Sequence, residues 1–425
     1  MRLLERLPLS RLVLMATVAT ALTACGSGSE DDARLRLLNA SPDLGTVDLT
    51  SDKDELSRNV ATLSLGEYGG RKAGVATLQV RGASGGATLA SLPVTLAKDT
   101  RYTLIAYGGS GRAQTMLLQE DQTEPASGQS KLMVMNLAPD AGKLRVFVTA
   151  PDTVLNDAQA FGGREIDGGQ STGYVTQTAG RYRIRVTDAD RREDLRLDLP
   201  AVELASGKVA TLILRGSGSG MLVHGLMLEQ RGALTRLDNT MARVRLVTAF
   251  ASGGVHATLD GQSLMSFGTV SPTIGEYRLV RSGAQDLNGF AGGFPFSHSF
   301  SSFAPGGDYT VLMRGEISAP TISLMSDDNR LPATAGQARL RLLNGLSQAL
   351  TLNLNYSQVA SSVAPGSYGS GTFTPSASSL LTVSGPGSPT PLYKNDSFAS
   401  QANGLYTVLM LGSDAQPQGI LRKDR

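Results

Sequence analysis

The chain is poor in the residues that most often carry chemistry. Its 425 residues include one cysteine, no tryptophan and three histidines. A single cysteine cannot close an internal disulfide, so stability must come from packed apolar cores. His224, His256 and His298 form no H-x-H or H-E-x-x-H pattern. Histidine metal sites need ligands that converge at fixed spacing, so no metal site and no cofactor is expected. Spacing says nothing about a Ser-His-Asp triad, whose members need not be neighbours. Aromatics are scarce, with 11 Tyr and 11 Phe. The lack of Trp weakens a sugar-stacking surface without removing it. Excess charge is missing too. The formal net charge is +2, and Arg2, Arg6, Arg11 and Glu5 supply all of it (3 − 1 = +2), leaving residues 25–425 near zero. A protein that grips phosphate backbones carries a clear positive excess, so nucleic acid is not an expected partner.

Those three arginines open an export-type segment. Leu12 to Ala24 follow without a charge, a run too short to span a bilayer comfortably. It ends in Leu22-Thr23-Ala24-Cys25, which resembles the bacterial lipobox, cut before the cysteine so that its sulfur carries lipid. The resemblance implies a signal peptide at 1–24, lipidation of Cys25 and a membrane partner reached through that anchor. Gly26 after the cysteine, rather than Asp, implies by the same resemblance the outer membrane of a double-membraned cell. One acyl chain holds only marginally, so firm anchoring takes more than one. Residues 25–32 read as a flexible, solvated tether of Gly, Ser and acids. Glu30, Asp31 and Asp32 would make a poor metal site there, because nothing fixes them in space.

Beyond the tether the chain repeats itself. Ala33-Arg34-Leu35-Arg36-Leu37-Leu38-Asn39 recurs letter for letter at 338–344, and looser versions start at Ser130 and Ala242, at intervals of 97, 112 and 96 residues. A second mark starts at Tyr102, Ala210, Tyr309 and Tyr406, at intervals of 108, 99 and 97. Between the two lies a Gly closely followed by Tyr68, Tyr174, Tyr277 or Tyr368. The marks keep one order and nearly one period. They define four units of common domain size, at 33–124, 130–236, 242–330 and 338–425. The period is too long for a solenoid, so each unit should own a core.

The units read as β throughout. In the opener Arg34 and Arg36 alternate with Leu35 and Leu37, and a period of two puts arginines on one face and leucines on the other. Arg181, Arg183 and Arg185 alternate likewise with Tyr182, Ile184 and Val186. Half-buried antiparallel sheets are patterned this way, which favours water-facing arginines over an anion site. Frequent Ser-Gly pairs supply turns. The expected fold is all-β: four tandem immunoglobulin-like or transthyretin-like antiparallel β-sandwich domains after a lipoprotein signal peptide. The Tyr-Thr strand resembles the tyrosine corner of such sandwiches, whose hydroxyl bonds back to nearby backbone. In the second unit Ala210 takes the tyrosine's place.

The units also resemble a bacterial family known as domain of unknown function 4397. Its repeats open on an Arg-bearing strand followed by an Ala-Ser-Pro-Asp-like turn. Asn39-Ala40-Ser41-Pro42-Asp43 matches well, and Asn136-Leu137-Ala138-Pro139-Asp140 partly. Ala179-Gly180 entering Arg181 matches a later step. The third and fourth units lose the Pro-Asp turn. The resemblance implies exported or lipid-anchored β-sandwich proteins and lends no catalytic residue.

Other motifs read blandly. Gly169-Gln170-Ser171-Thr172-Gly173 fits G-x-S-x-G, but Asp167-Gly168 before it is turn chemistry and Tyr174-Val175 after it is strand-like, where a nucleophile elbow needs a strand before and a helix after. Gly216 to Gly220 lacks the Gly-Lys-Ser/Thr of a phosphate loop and reads as a hairpin turn. Asp188 to Asp194 reads as a charged, exposed hairpin rather than a calcium loop, since arginines occupy its middle. Phe290, Phe294, Phe296, Phe300 and Phe303 crowd one Gly/Ser-rich stretch. They form either an exposed contact loop or core rings of the third unit, and the core is favoured, with Phe294 and Phe296 on one strand face. The expected role is non-enzymatic: a lipid-anchored structural, adhesive or binding protein of the cell envelope, with an envelope protein or glycan as partner. The alternative is a glycan-binding or glycan-hydrolysing accessory lipoprotein.

Overall fold

A computed structural model describes residues 32–425 except 53, 84, 110, 219 and 389. Cys25, the 1–24 segment and nearly all of the tether lie outside the described residues. The tether reading ran one residue too far, because Asp32 opens the first strand and pairs with Lys72.

Each unit is two stacked sheets, here called inner (bearing the opener) and outer. In the first unit β1 (Asp32–Asn39), β4 (Ser64–Leu65), β5 (Gly69–Lys72), β8 (Arg101–Tyr107) and β9 (Gln114–Gln119) form the inner sheet. Its outer sheet is β2 (Val47–Ser51), β3 (Asp54–Val60), β6 (Gly74–Gly82) and β7 (Thr88–Leu96). In the second unit the inner sheet is β10 (Gln129–Leu137), β12 (Val175–Thr178), β15 (Val209–Gly216), β16 (Val223–Glu229) and β17 (Leu234–Leu237). The outer sheet is β11 (Leu144–Thr149), β13 (Gly180–Asp188) and β14 (Leu195–Leu204). The third unit has inner strands β18 (Met241–Thr248), β21 (Thr273–Ile274), β22 (Arg278–Arg281), β25 (Asp308–Glu316) and β26 (Ala319–Ser326). Its outer strands are β19 (Gly254–Leu259), β20 (Gln262–Val270), β23 (Gly283–Ala291) and β24 (Phe294–Phe303). The fourth unit has inner strands β27 (Ala338–Asn344), β30 (Tyr368–Phe373), β33 (Leu405–Gly412) and β34 (Pro417–Lys423). Its outer strands are β28 (Leu350–Leu354), β29 (Ser357–Val363), β31 (Leu381–Ser384) and β32 (Tyr393–Asn395).

The all-β sandwich architecture is as expected, with one departure from a purely antiparallel sheet. The opener runs parallel to the Tyr-Thr strand in every unit: β1 with β8, β10 with β15, β18 with β25 and β27 with β33. Parallel neighbours need a long crossover. Here the whole outer sheet serves as that connection.

Period two explains the cores. Leu35 and Leu37 turn inward with Leu49, Leu78 and Leu104, all fully buried. Equivalent clusters centre on Val134 and Ile184, on Leu246 and Leu287, and on Leu342 and Leu352. Each fully buried Leu of this kind contributes about 2 kcal/mol. Repeated polar devices fix the ends. Tyr102, Tyr309 and Tyr406 each accept a 2.9 Å hydrogen bond from a backbone N–H five residues upstream, at Ala97, Ala304 and Gln401. At the opener's end, Asn39 donates to the Gly45 and Val60 carbonyls, Asn136 to Gly142 and Ile166, and Asn344 to Gln348 and Val363. Each of these buried amides ties the opener to the loop and strand that follow it.

The units then pair through their inner sheets. Leu38, Ile105 and Tyr107 of the first pack on Met133, Met135, Ile213 and Leu226 of the second. Val247 and Leu312 of the third pack on Leu343, Leu409 and Leu411 of the fourth. Each pair is therefore four sheets deep, and its inner sheets are covered on both faces.

Candidate functional site

The pairing overturns one expectation. The opener arginines do not all face water: Arg36, Arg245 and Arg341 are buried, because the face they occupy is covered by the neighbouring unit. Arg185 is buried as well, with its guanidinium donating to the Thr153 carbonyl of a covering loop at 2.8 Å. Arg181 remains exposed and Arg183 pairs with Asp198.

The buried arginines form a repeated knot. Arg36 Nε donates to Thr103 Oγ1 at 2.9 Å and its Nη2 to Glu120 at 2.9 Å, the Tyr68 hydroxyl donates to Glu120 at 2.6 Å, and the guanidinium lies 4.6 Å from the Tyr68 ring centre. In the third unit Arg245 meets Thr310 at 2.8 Å, and both Thr310 and Tyr277 donate to Asp327. In the fourth Arg341 meets Thr407 and Asp424, each at 2.9 Å, beneath Tyr368. The sequence marks thus converge on one cluster: opener Arg, Gly-Tyr tyrosine and closing-strand Thr. The fourth member, a carboxylate just past the last strand, was missed. The second unit changes both charged members together. Met133 replaces the arginine, Gln230 replaces the acid, and Tyr174 still meets Thr211 at 3.0 Å.

The two pair junctions use the knots differently. At the first, Arg36 also donates to the Gly232 carbonyl, and the Arg231 N–H donates to Glu120 at 2.5 Å. At the second the two knots fuse: Arg245 donates to Asp424 at 3.2 Å, and the Tyr368 hydroxyl to Thr310 at 3.1 Å. Burial works against the Asp424 charge, yet Arg341 and Arg245 more than reverse it and hold this carboxyl below its ordinary range. Burial and then Glu120 push the Tyr68 hydroxyl far above its usual value, so it remains a donor. These groups bind one another, and of them Tyr277 and Asp424 also reach the wall of a cleft.

The sequence candidates for chemistry do not assemble. Ser171 bridges to Met135 in a turn that leads into β12, with no helix following. Asp188 and Asp194 are more than an exposed hairpin, since both bind the fully buried Arg196 at 3.0 Å. His224 lies buried where the second unit meets Gly306 of the third. Burial and then Arg215 lower its pKa to about 4, so it is neutral and accepts the Asn239 N–H. His256 and His298 sit on opposite faces of the third unit's outer sheet. Among the described residues, no three His, Cys, Asp or Glu are grouped to hold a metal.

A cleft of about 570 Å³ opens where the second, third and fourth units meet, lined by Arg191, Arg278, Arg422, Glu193, Glu276 and Asp424 among others. Its acids are largely paired, as Glu276 is with Arg422 at 2.9 Å. The carboxylates whose proton affinity is shifted, Glu165, Asp238, Asp328 and Asp424, all move down.

One surface stands apart, the outer sheet of the third unit. Its order is β20-β19-β23-β24. Val255, Ala257, Leu259, Leu287 and Ala291 face the core, so His256, Thr258, Asn288 and Phe290 face out. Phe290 sits opposite His256 on one side and Pro295 on the other. A bulge in β20 delivers Phe267 onto the same face, where its ring stacks on His256 at 3.7 Å. Gly268, at φ +87°, completes that bulge with a backbone conformation few other residues adopt. Phe267 is 77% exposed, Phe290 47% and Phe294 51%. The core reading of the Phe-rich stretch therefore holds for Phe300 and Phe303, which are buried, and for Phe296, which packs over Gly289. It fails for Phe290 and Phe294. Phe294 shares the core-facing side with Phe296, but at the β23–β24 turn it runs past the edge of the core.

Residues 33–147 match the family model described as Domain of unknown function (DUF4397). The match spans the first unit and runs through β10 into β11. No curated protein matches the chain. Among solved structures, CBMbc, a family CBM26 module of Eubacterium rectale Amy13K in complex with maltoheptaose, overlays 48% of this chain and 97% of its own, at 12% identity and TM-score 0.17. The Bacillus anthracis TIE protein overlays 86% and 65%, at 11% identity and TM-score 0.14. Bacteroides ovatus SGBP-B, in complex with a mixed-linkage heptasaccharide, overlays 77% and 81%, at 13% identity and TM-score 0.11. TM-scores of this size do not amount to a shared overall arrangement.

Proposed function

We propose that this protein is a non-enzymatic binding protein of the bacterial cell envelope, held at the outer membrane by lipid on Cys25. Its four units are tandem copies of the domain matched at residues 33–147. The observation that carries the binding role is the exposed ring-bearing outer sheet of the third unit, since solvent-facing phenylalanines gathered on one face mark a contact surface. The buried arginine knots support a scaffold role for the rest, with two stiff pairs of units presenting that face. The hydrolytic alternative draws no support from the carboxylates. A glycosidase acid needs a raised pKa, and the shifted carboxylates here are lowered. The anchor is tested by feeding cells radiolabelled palmitate, which should enter the wild type and not Cys25→Ser; equal labelling of both would sink it. The binding role is tested by incubating the protein with envelope extracts. Saturable, non-covalent capture of envelope material is expected, and steady turnover of a soluble component would overturn the non-enzymatic reading.

A further inference from the structure

The ring-bearing face has a more specific chemistry than apolar exposure. Phe267, His256, Phe290 and Pro295 come from four successive strands, so they form a single file across the sheet. With strands about 4.8 Å apart, the file is about 14 Å long and one residue wide. Two residues along each of β19, β23 and β24, about 7 Å away, a second row runs parallel to it: Thr258, Asn288 and Ser297, which register directly opposite one another. The Asn288 amide and the Ser297 hydroxyl face solvent with no side-chain hydrogen bond to another described residue. The face therefore offers a strip of rings beside a polar strip in which Thr258 already donates to the Asn288 carbonyl at 3.4 Å while the Asn288 amide and Ser297 hydroxyl are turned to solvent.

Charge narrows the occupant. No Lys or Arg stands in either row, and the nearest acid on this face, Asp286, already accepts a 2.6 Å bond from Ser299. An anionic polymer or lipid surface would find no cation there. A folded partner of ordinary affinity covers about 800 Å², a broad patch with aromatic residues, Met and Arg enriched at its centre. A file one ring wide with Ser, Thr and Asn beside it does not fit that description. What does fit is an uncharged chain whose units each carry an apolar face and hydroxyls at the rim. The file ends at the edge strands β20 and β24, so neither end is closed by the sheet. Beside β20, at the edge between the two sheets, lies a separate cleft of about 510 Å³ whose wall mixes Ser263, Ser266 and Thr269 with Leu264, Met265 and Arg278.

From this juxtaposition we infer that the outer sheet of the third unit binds an internal stretch of a neutral polysaccharide, with Phe267 and Phe290 stacking on sugar rings and Asn288 and Ser297 bonding hydroxyls. The inference rests on the binding role proposed above and names its ligand class. It is tested by native electrophoresis of the purified protein in gels cast separately with starch, dextran, mixed-linkage β-glucan or galactomannan, and with polygalacturonate as the acidic comparison. At least one neutral polysaccharide should slow the wild type and the conservative Phe267→Tyr variant. Phe267→Ala/Phe290→Ala should bind it about tenfold or more weakly, from the loss of two ring contacts, with an unchanged thermal midpoint. The inference is overturned if none of the neutral polysaccharides slows the wild type, if the double variant is slowed equally, or if polygalacturonate acts more strongly than all of them. Sedimentation showing a wild-type dimer that the double variant abolishes, with no polysaccharide binding, would also overturn it and give the face to a second copy. If no polysaccharide binds while envelope capture persists, this inference falls and the envelope-binding reading stands.

Discussion

The inner and outer sheets obey the same period-two pattern and end in opposite environments. On an inner sheet the face turned away from its own core meets another unit, and Arg36, Arg245 and Arg341 are buried there with acids. On an outer sheet that face meets water. Three of the four outer faces carry no exposed ring cluster there: Thr77, Gln79 and Arg81 share the first unit's face with the exposed Val75, Arg183 and Asp198 pair on the second, and Thr351, Asn353 and Thr382 line the fourth. The third carries rings. Alternation in a sequence therefore reports that a strand has two faces, and the partner of the second face decides what its residues do.

The sharpest break in that contrast should come at the fused knot. Arg245→Met would leave Asp327 and Asp424 buried without their shared cation, and chemical denaturation should show a loss of about 3–5 kcal/mol. Arg36→Met should cost about as much on its own, because Glu120 is stranded. Adding Glu120→Gln recreates the pair found in the second unit, Met133 with Gln230, and should restore most of the loss. A double-mutant cycle measures this. If the double variant were no better than the single, the knot would not be the exchangeable unit described here.

Smaller effects concern the boundary between units. His224 has a folded pKa of about 4 against about 6.5 when exposed, so folding favours its neutral form. Its contribution should be complete above about pH 6.5 and fade as pH falls toward 4. Thermal midpoints of the wild type should drop through that window more steeply than those of His224→Gln. At the outer face the expected stability effect is smallest. Phe267→Ala/Phe290→Ala should change the unfolding free energy by less than about 0.5 kcal/mol, as exposed substitutions do. A loss of several kcal/mol would mean that the rings support the fold rather than await a ligand.

Much of the fold was legible because its causes are local. Leu35 and Leu37 alternate with arginines, Gly-rich turns separate short strands, and Tyr102, Tyr309 and Tyr406 mark the same corner. The fate of Arg36 was not legible. Its covering contact, Gly232, lies 196 residues away, and no periodicity reports which sheet will pack on which. The knot's carboxylates were missed for a related reason, as Glu120, Asp327 and Asp424 fall just past the last strand, outside any alternating pattern. The Phe-rich stretch drew notice in sequence, but Phe267 stands 23 residues before Phe290 and joins it only through a bulge and the pairing of β19 with β20 and β23.

The division of labour between the two kinds of sheet is tested most directly by running three proteins side by side in the polysaccharide gel that slows the wild type most: the wild type, Arg36→Met/Glu120→Gln and Phe267→Ala/Phe290→Ala. Retardation should be kept by the inner-sheet variant and lost by the outer-face variant. Loss in the inner-sheet variant with full retention in the outer-face variant would contradict the account.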